Sequence, residues 1–120
     1  SWGALTSNIC ALATWTREFG TRALLSPPSR REITAPVNVG LGGNTPETYF
    51  GLGTLVYTPW IVQRAAYWGM FTTTAYDPTT GFSIEATASL SHDSPPGVSP
   101  SDEIVFAVSR LLTPDHPISR

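Results

Sequence analysis

The sequence predicts a mainly β protein in which a small antiparallel sheet or sandwich follows an N-terminal helix. Two observations support this fold class. A β-hairpin pattern lies between residues 70 and 90, and eleven prolines and ten glycines cut the chain into short elements. The 120 residues fit one domain, 1–120, that can bury a core without disulfides. An all-β chain without the helix is the alternative.

Residues 4–19 form the predicted N-terminal helix. Their apolar positions recur every three or four residues and so lie along one helical face, and Gly20 follows as the predicted stop. A strand is the competing interpretation, because the run from Ile9 to Trp15 also alternates and residues 14–16, Thr-Trp-Thr, favour strands. The helical stripe consists of Leu5, Ile9, Leu12, Thr16 and Phe19.

The middle of the chain predicts short strands separated by loops. Ser26–Ser29 contains two prolines and indicates an extended break. Ile33–Val39 predicts a strand that Pro36 restricts to an edge, and the glycine-rich residues Gly40–Gly53 predict a long loop. A short strand at Leu55–Tyr57 follows. Residues 60–68 fit either a strand or a short helix, and the pattern does not decide between them.

The clearest local pattern is a β-hairpin. Met70–Tyr76 and Phe82–Leu90 flank the turn Asp77–Gly81, in which Asp begins the turn, Pro78 fixes its φ and Gly81 takes the left-handed conformation. Apolar and polar residues alternate along the second strand, as expected of a half-buried antiparallel strand. A five-residue loop predicts three facing pairs: Tyr76 with Phe82, Thr74 with Ile84, and Met70 with Ala88.

The C-terminal third predicts one more strand and an arm. Ser94–Ser101 contains three prolines and reads as a loop. Glu103–Leu112 is apolar on both faces and predicts a central strand. Residues 113–120 hold two further prolines and predict an extended C-terminal arm.

The charge content is unusually low. Charged residues make up 13% of the chain, against roughly 25% in ordinary soluble domains, and the net charge is −2. All seven basic residues are arginines, too few for sequence-independent binding of nucleic acid or of an anionic membrane surface. We therefore expect neighbouring protein to cover much of the surface; a biased genome composition is the other explanation for arginine without lysine.

No motif in the sequence predicts catalysis, a cofactor or a metal. The loop Gly40–Thr45 lacks the third glycine of a dinucleotide site, and Pro46 disturbs the helix that such a site requires. His92 and His116 lie in proline-rich segments where we expect solvated side chains. Cys10 completes no metal spacing and predicts a buried, inert thiol. We expect a protein that is not an enzyme.

The expected contacts with other chains involve tryptophan, arginine and the two ends of the chain. Tryptophan and arginine are frequent anchors of protein interfaces, and the arginine pair at positions 30 and 31 can form salt bridges between chains. We expect residues 1–3 and 113–120 to pack against other chains. The candidate interface residues are Trp2, Trp60, Arg30, Arg31, Pro114 and Ile118.

In texture, part of the sequence resembles the coat and protrusion domains of non-enveloped icosahedral viruses. The resemblance lies in Thr72–Tyr76 opposite Ile84–Ala88 and in the proline-rich arms 94–100 and 113–120. It implies a surface or accessory protein of a capsid, located in the virion, that contacts coat protein or copies of itself and binds no cofactor, nucleic acid or membrane. The alternative is a small carbohydrate- or ligand-binding β module with exposed Trp and Tyr as its stacking platform.

Overall fold

The structure, a computed structural model, describes residues 6–119 as one antiparallel sheet flanked by helices. The five strands follow one another in the sheet in the order β1-β2-β3-β4-β5, and every neighbouring pair is antiparallel. The small antiparallel sheet with an N-terminal helix is therefore confirmed. The elements are α1 (Ile9–Thr21), α2 (Pro27–Glu32), β1 (Thr48–Phe50), β2 (Leu55–Tyr57), β3 (Trp60–Tyr67), β4 (Met70–Tyr76), β5 (Ser83–Ser89) and α3 (Pro100–Leu112).

The hydrophobic core lies between one face of the sheet and α3. Val62, Ala75 and Ile84 stand side by side on β3, β4 and β5, and Val105 and Phe106 of α3 pack against this face. Burying apolar side chains of this size stabilises the fold by about 1.5–3 kcal/mol each. The core cluster consists of Leu55, Tyr57, Trp60, Val62, Ala75, Ile84, Ala86, Val105, Phe106 and Ile118.

Helix α1 packs against the opposite, threonine-rich face of the sheet. Asn8 caps its first turn by accepting a hydrogen bond from the Ala11 N–H. A stop at Gly20 was predicted, but the helix continues to Thr21. Arg22 takes the left-handed conformation at the end of the helix. Gly20 has another role: a Cβ at this position would overlap the Tyr76 ring, so the glycine allows α1 to approach β4 closely.

The β4–β5 hairpin is confirmed, but the predicted register is wrong by one residue. The Asp77 N–H donates to the Phe82 carbonyl, so the loop begins after Asp77 and Tyr76 pairs with Ser83. The Asp77 N–H thus adds one backbone hydrogen bond beyond the end of β4, while the Asp77 carboxylate accepts hydrogen bonds from the turn. The shift places Ala75 opposite Ile84, which puts both side chains on the core face.

Between α1 and β2 the predicted elements differ from the structure. Ser26 caps α2, which begins at Pro27 where an extended break was expected. The predicted strand Ile33–Val39 consists of turns and irregular backbone, and the predicted loop Gly40–Gly53 contains β1. Residues 60–68, left undecided by the sequence, form strand β3 and the start of a turn.

Residues 103–112 lie in helix α3, so the predicted central strand is wrong. Ser99 caps this helix, Pro100 occupies its first turn, and Asp102 and Glu103 place acidic groups at the positive end of its dipole. The buried positions recur at helical spacing, because Val105, Phe106 and Ser109 all face the sheet.

The C-terminal segment packs against its own chain over residues 113–119. The Ile118 N–H donates to the Ser109 hydroxyl at 3.0 Å, and the Trp60 Nε1–H donates to the His116 carbonyl at 2.9 Å. Ile118 is fully buried. In this structure the predicted extended arm is therefore a closing segment of the core.

Candidate interaction surface

The end of the β3–β4 hairpin exposes two large aromatic side chains. Strands β3 and β4 are joined by the two-residue turn Trp68-Gly69, and both residues have positive φ, 49° and 78°, as a type I′ turn requires. Bulky residues rarely adopt this conformation, at a cost of about 1–3 kcal/mol. Trp68 is 87% exposed and Tyr67 61% exposed. The chain therefore holds a strained tryptophan fully in solvent.

Two further apolar side chains extend this surface. Met70 begins β4, and Leu90 is held beside the turn because its N–H donates to the Gly69 carbonyl at 2.8 Å. Both are exposed. We call Tyr67, Trp68, Met70 and Leu90 the tip patch. Between Ala65 and Ser91 the residues charged at neutral pH are Asp77 and Glu85. Asp77 follows the far end of β4 and Glu85 lies in the middle of β5, so the tip patch itself carries no charged side chain.

The tip patch is held in a defined geometry. The Tyr67 and Trp68 rings contact edge to face, with centroids 5.9 Å apart and planes at 82°. Tyr67 pairs with Met70 across the hairpin, and an unbroken β3–β4 ladder continues to Ile61 and Tyr76. Because the ladder orders the backbone of the hairpin before any contact forms, little further backbone entropy is lost on binding.

A polar cluster lies where α3 begins above the sheet. The Arg64 guanidinium lies 3.2 Å from an Asp102 carboxylate oxygen and donates to the Tyr57 hydroxyl at 2.6 Å. The other Asp102 oxygen accepts a hydrogen bond from Thr73 at 2.6 Å, and Thr73 also contacts the Ser101 hydroxyl. Both carboxylate oxygens of Asp102 are thus occupied, one by Arg64 and the other by Thr73. This arrangement fixes α3 to β3 and β4.

A second polar contact fastens the C-terminal segment to the β4–β5 turn. His116 Nε2 lies 2.9 Å from an oxygen of Asp77, which is fully buried and also accepts hydrogen bonds from Thr80 and the Thr79 N–H. Burial raises the pKa of Asp77, but the hydrogen bonds from Thr80, His116 and Thr79 outweigh it and hold the pKa below its ordinary value. His116 is therefore not the solvated side chain that we expected, whereas His92 is exposed.

A cleft runs between α1 and the sheet. Leu12 and Trp15 form its helical wall, and Gln63, Thr72 and Thr74 form part of its floor, around a volume of about 330 Å³. The Trp15 ring stacks on Phe19 of the same helix at 6.1 Å. An apolar wall opposite hydroxyl and amide groups is suited to a small polar ligand with one apolar face.

The candidate interface residues occupy very different places. Trp60 and Ile118 are fully buried in the core, so they stabilise this chain and offer no surface to another. Arg30 is half-buried, and its guanidinium donates to the carbonyls of its own chain at residues 23 and 25. Arg31 and Pro114 are exposed, at separate places on the surface. Trp2 lies outside the described residues.

The tip patch was not predicted from the sequence. Its recognisable signal was Gly69 between two strand-like runs, but with residues 60–68 undecided, no two-residue hairpin was predicted there. Cys10 was also placed wrongly: its thiol is free and exposed on α1. Within residues 6–119, no group of His, Cys, Asp and Glu side chains converges as a metal site would require.

Comparison with protein-family models, curated proteins and solved structures found no match to this chain. Over the described residues, none of the helices has the length and apolar character needed to span a membrane.

Proposed function

We propose that this chain is a structural interaction protein that binds another protein through the tip patch. The observation that carries the proposal is Trp68, 87% exposed and held with positive φ at the end of a rigid hairpin. Trp and Tyr are the side chains most enriched among binding hot spots, and exposure of this size costs solvation free energy until a partner covers it.

The chemistry of the patch favours an apolar pocket on a protein partner. The nearest basic residue along β3 is Arg64, which is paired with Asp102, so the tip has no cation for phosphate or an anionic lipid. The Tyr67 and Trp68 rings are nearly perpendicular and form a wedge, whereas stacking of a sugar requires a flat aromatic surface.

The partner that we propose is coat protein of a non-enveloped viral capsid, on whose surface the chain is an accessory or protrusion component. The sparse charge and the resemblance in texture to coat and protrusion domains support this setting. A second candidate function is binding of a small carbohydrate or similar ligand, which the cleft beside Trp15 and its polar floor support.

The test of the first function replaces Trp68 without disturbing the hairpin. In Trp68→Asn the turn becomes Asn-Gly, the preferred type I′ pair, so the aromatic side chain is lost while the fold is kept. The matched control is Leu111→Ala, which removes an apolar side chain that is 82% exposed on α3. We expect proteins that co-purify with the wild-type chain from its native host to be retained by the control and lost from Trp68→Asn.

Equal co-purification by both variants would refute the tip patch as the binding site. The ligand function has its own test, in which a glycan array is probed with the wild type and with Trp15→Ala. Binding that depends on Trp15 and persists in Trp68→Asn would replace the first proposal with the second.

A further inference from the structure

Strand β5 is an open edge of the sheet. Along an antiparallel strand, residues alternate between bonding to the neighbouring strand and directing their backbone groups away from it. The hydrogen bonds from the Asp77 N–H to the Phe82 carbonyl and from the Leu90 N–H to the Gly69 carbonyl show that the even-numbered residues of β5 bond to β4. The odd-numbered residues, Ser83, Glu85, Thr87 and Ser89, therefore direct their N–H and C=O groups outward. Within residues 6–119, none of these groups has a backbone partner on that side. Such an edge is a template for another strand.

The edge is complementary to itself. The segment Phe82–Leu90 is nearly symmetric about Ala86: residues at equal distances before and after Ala86 are both apolar or both polar. A large apolar residue stands at each end, with a serine next to it. In an antiparallel pair of two copies centred on Ala86, the facing residues are Phe82 with Leu90, Ser83 with Ser89, Ile84 with Ala88, Glu85 with Thr87, and Ala86 with itself.

We propose that two copies of this chain pair through their β5 strands, antiparallel and about a two-fold axis at Ala86. Each outward-facing pair then exchanges N–H···O bonds, and one sheet runs through both copies. Phe82 and Leu90 are 44% and 43% exposed in the single chain and cover each other across the axis. The interface is isologous, as a closed dimer requires. It shares only Leu90 with the tip patch, leaves Tyr67, Trp68 and Met70 uncovered, and does not rest on the proposed function.

The charge of Glu85 is compatible with this register. Glu85 faces Thr87 of the second copy, so the carboxylates of the two copies are not directly opposite each other, an arrangement that would be destabilising.

The two neighbouring registers are less favourable. Moving the axis to Glu85 places two carboxylates opposite each other, which is destabilising. Moving the axis to Thr87 pairs Glu85 with Ser89. Phe82 then faces no apolar residue of the second copy, so its exposed side chain stays in water. The register with its axis at Ala86 avoids opposed Glu85 carboxylates and also pairs Phe82 with Leu90.

The first experiment measures association by sedimentation equilibrium. We expect a reversible dimer for the wild type and a monomer for Thr87→Pro, because proline removes an outward N–H without breaking a bond to β4. Thr87→Ala is the matched control: it shortens the side chain but keeps the outward N–H, and we expect it to remain a dimer. Circular dichroism checks that each variant is folded.

The second experiment tests the register and needs no destabilising change. In a Cys10→Ser background, Ser83→Cys and Ser89→Cys are oxidised separately and as an equal mixture. We expect a disulfide-linked dimer only from the mixture, because residue 83 of one copy faces residue 89 of the other. A wild type that stays monomeric at all concentrations would overturn the dimer, and disulfide formation by Thr87→Cys alone would overturn the register.

Discussion

Trp68→Asn separates the interaction surface from the fold, because it weakens binding and leaves the free energy of unfolding nearly unchanged. A tryptophan side chain covers about 150–250 Å², and at 87% exposure nearly all of it is available to a partner. At about 25 cal/mol per Å² this is worth up to about 5 kcal/mol, and measured hot spots lose about 2–4 kcal/mol on truncation. We therefore expect Trp68→Asn to weaken binding at least about 30-fold.

Stability changes little or rises in the same variant. Asparagine tolerates positive φ, which relieves part of the strain at position 68, while the edge contact with Tyr67, worth about 0.5–1.5 kcal/mol, is lost. The net effect on the free energy of unfolding is within about 1 kcal/mol of zero. Calorimetry for partner binding and urea denaturation for stability measure the two quantities. A variant that loses stability and affinity together would refute this assignment, because Trp68 would then be a structural residue.

Two other perturbations test the packing. Asp77→Asn lowers the free energy of unfolding by about 1–3 kcal/mol at neutral pH. Because the folded state holds the pKa of Asp77 below 3.8, this stabilisation is present above that pH and disappears as the pH falls through the lowered pKa, which urea denaturation at stepwise pH measures. Gly20→Ala costs about 1–3 kcal/mol because its Cβ meets the Tyr76 ring, whereas Gly43→Ala, with open space around it, leaves the thermal midpoint within about 2 °C; a neutral Gly20→Ala would show that α1 is loosely packed.

Local patterns in the sequence predicted the hairpin but not α3. The alternation of apolar and polar residues after Gly81 reflects burial of one face of β5. Nine consecutive residues are enough to show this pattern. In α3 the β-branched residues near Val105 favoured a strand, while the helix-start signals at Ser99 and Pro100 were already present. The helix forms because Val105 and Phe106 bury together against a sheet whose nearest strand ends at Ser89, sixteen residues before Val105, and no local window contains that contact.

The candidate site was missed for a related reason. Tryptophan content predicted an interface, but whether a given tryptophan is buried depends on contacts distant in sequence. Trp60 is buried because the segment around His116 returns to cover it, and Trp68 is exposed because Gly69 turns the chain back at once. Two tryptophans eight residues apart on one strand and its turn thus have opposite roles, and composition does not distinguish them.

The two proposed surfaces have a geometric relation. A two-fold axis at Ala86 runs the β5 strands in opposite directions, so the two tip patches lie at opposite ends of the shared sheet. Leu90 lies four residues beyond Ala86, which separates the two ends by roughly 26 Å along the strands. A partner that repeats, as coat protein does in a capsid, can then be held at two points, and the second contact forms at a high effective concentration. A single tip of modest affinity is sufficient under this arrangement.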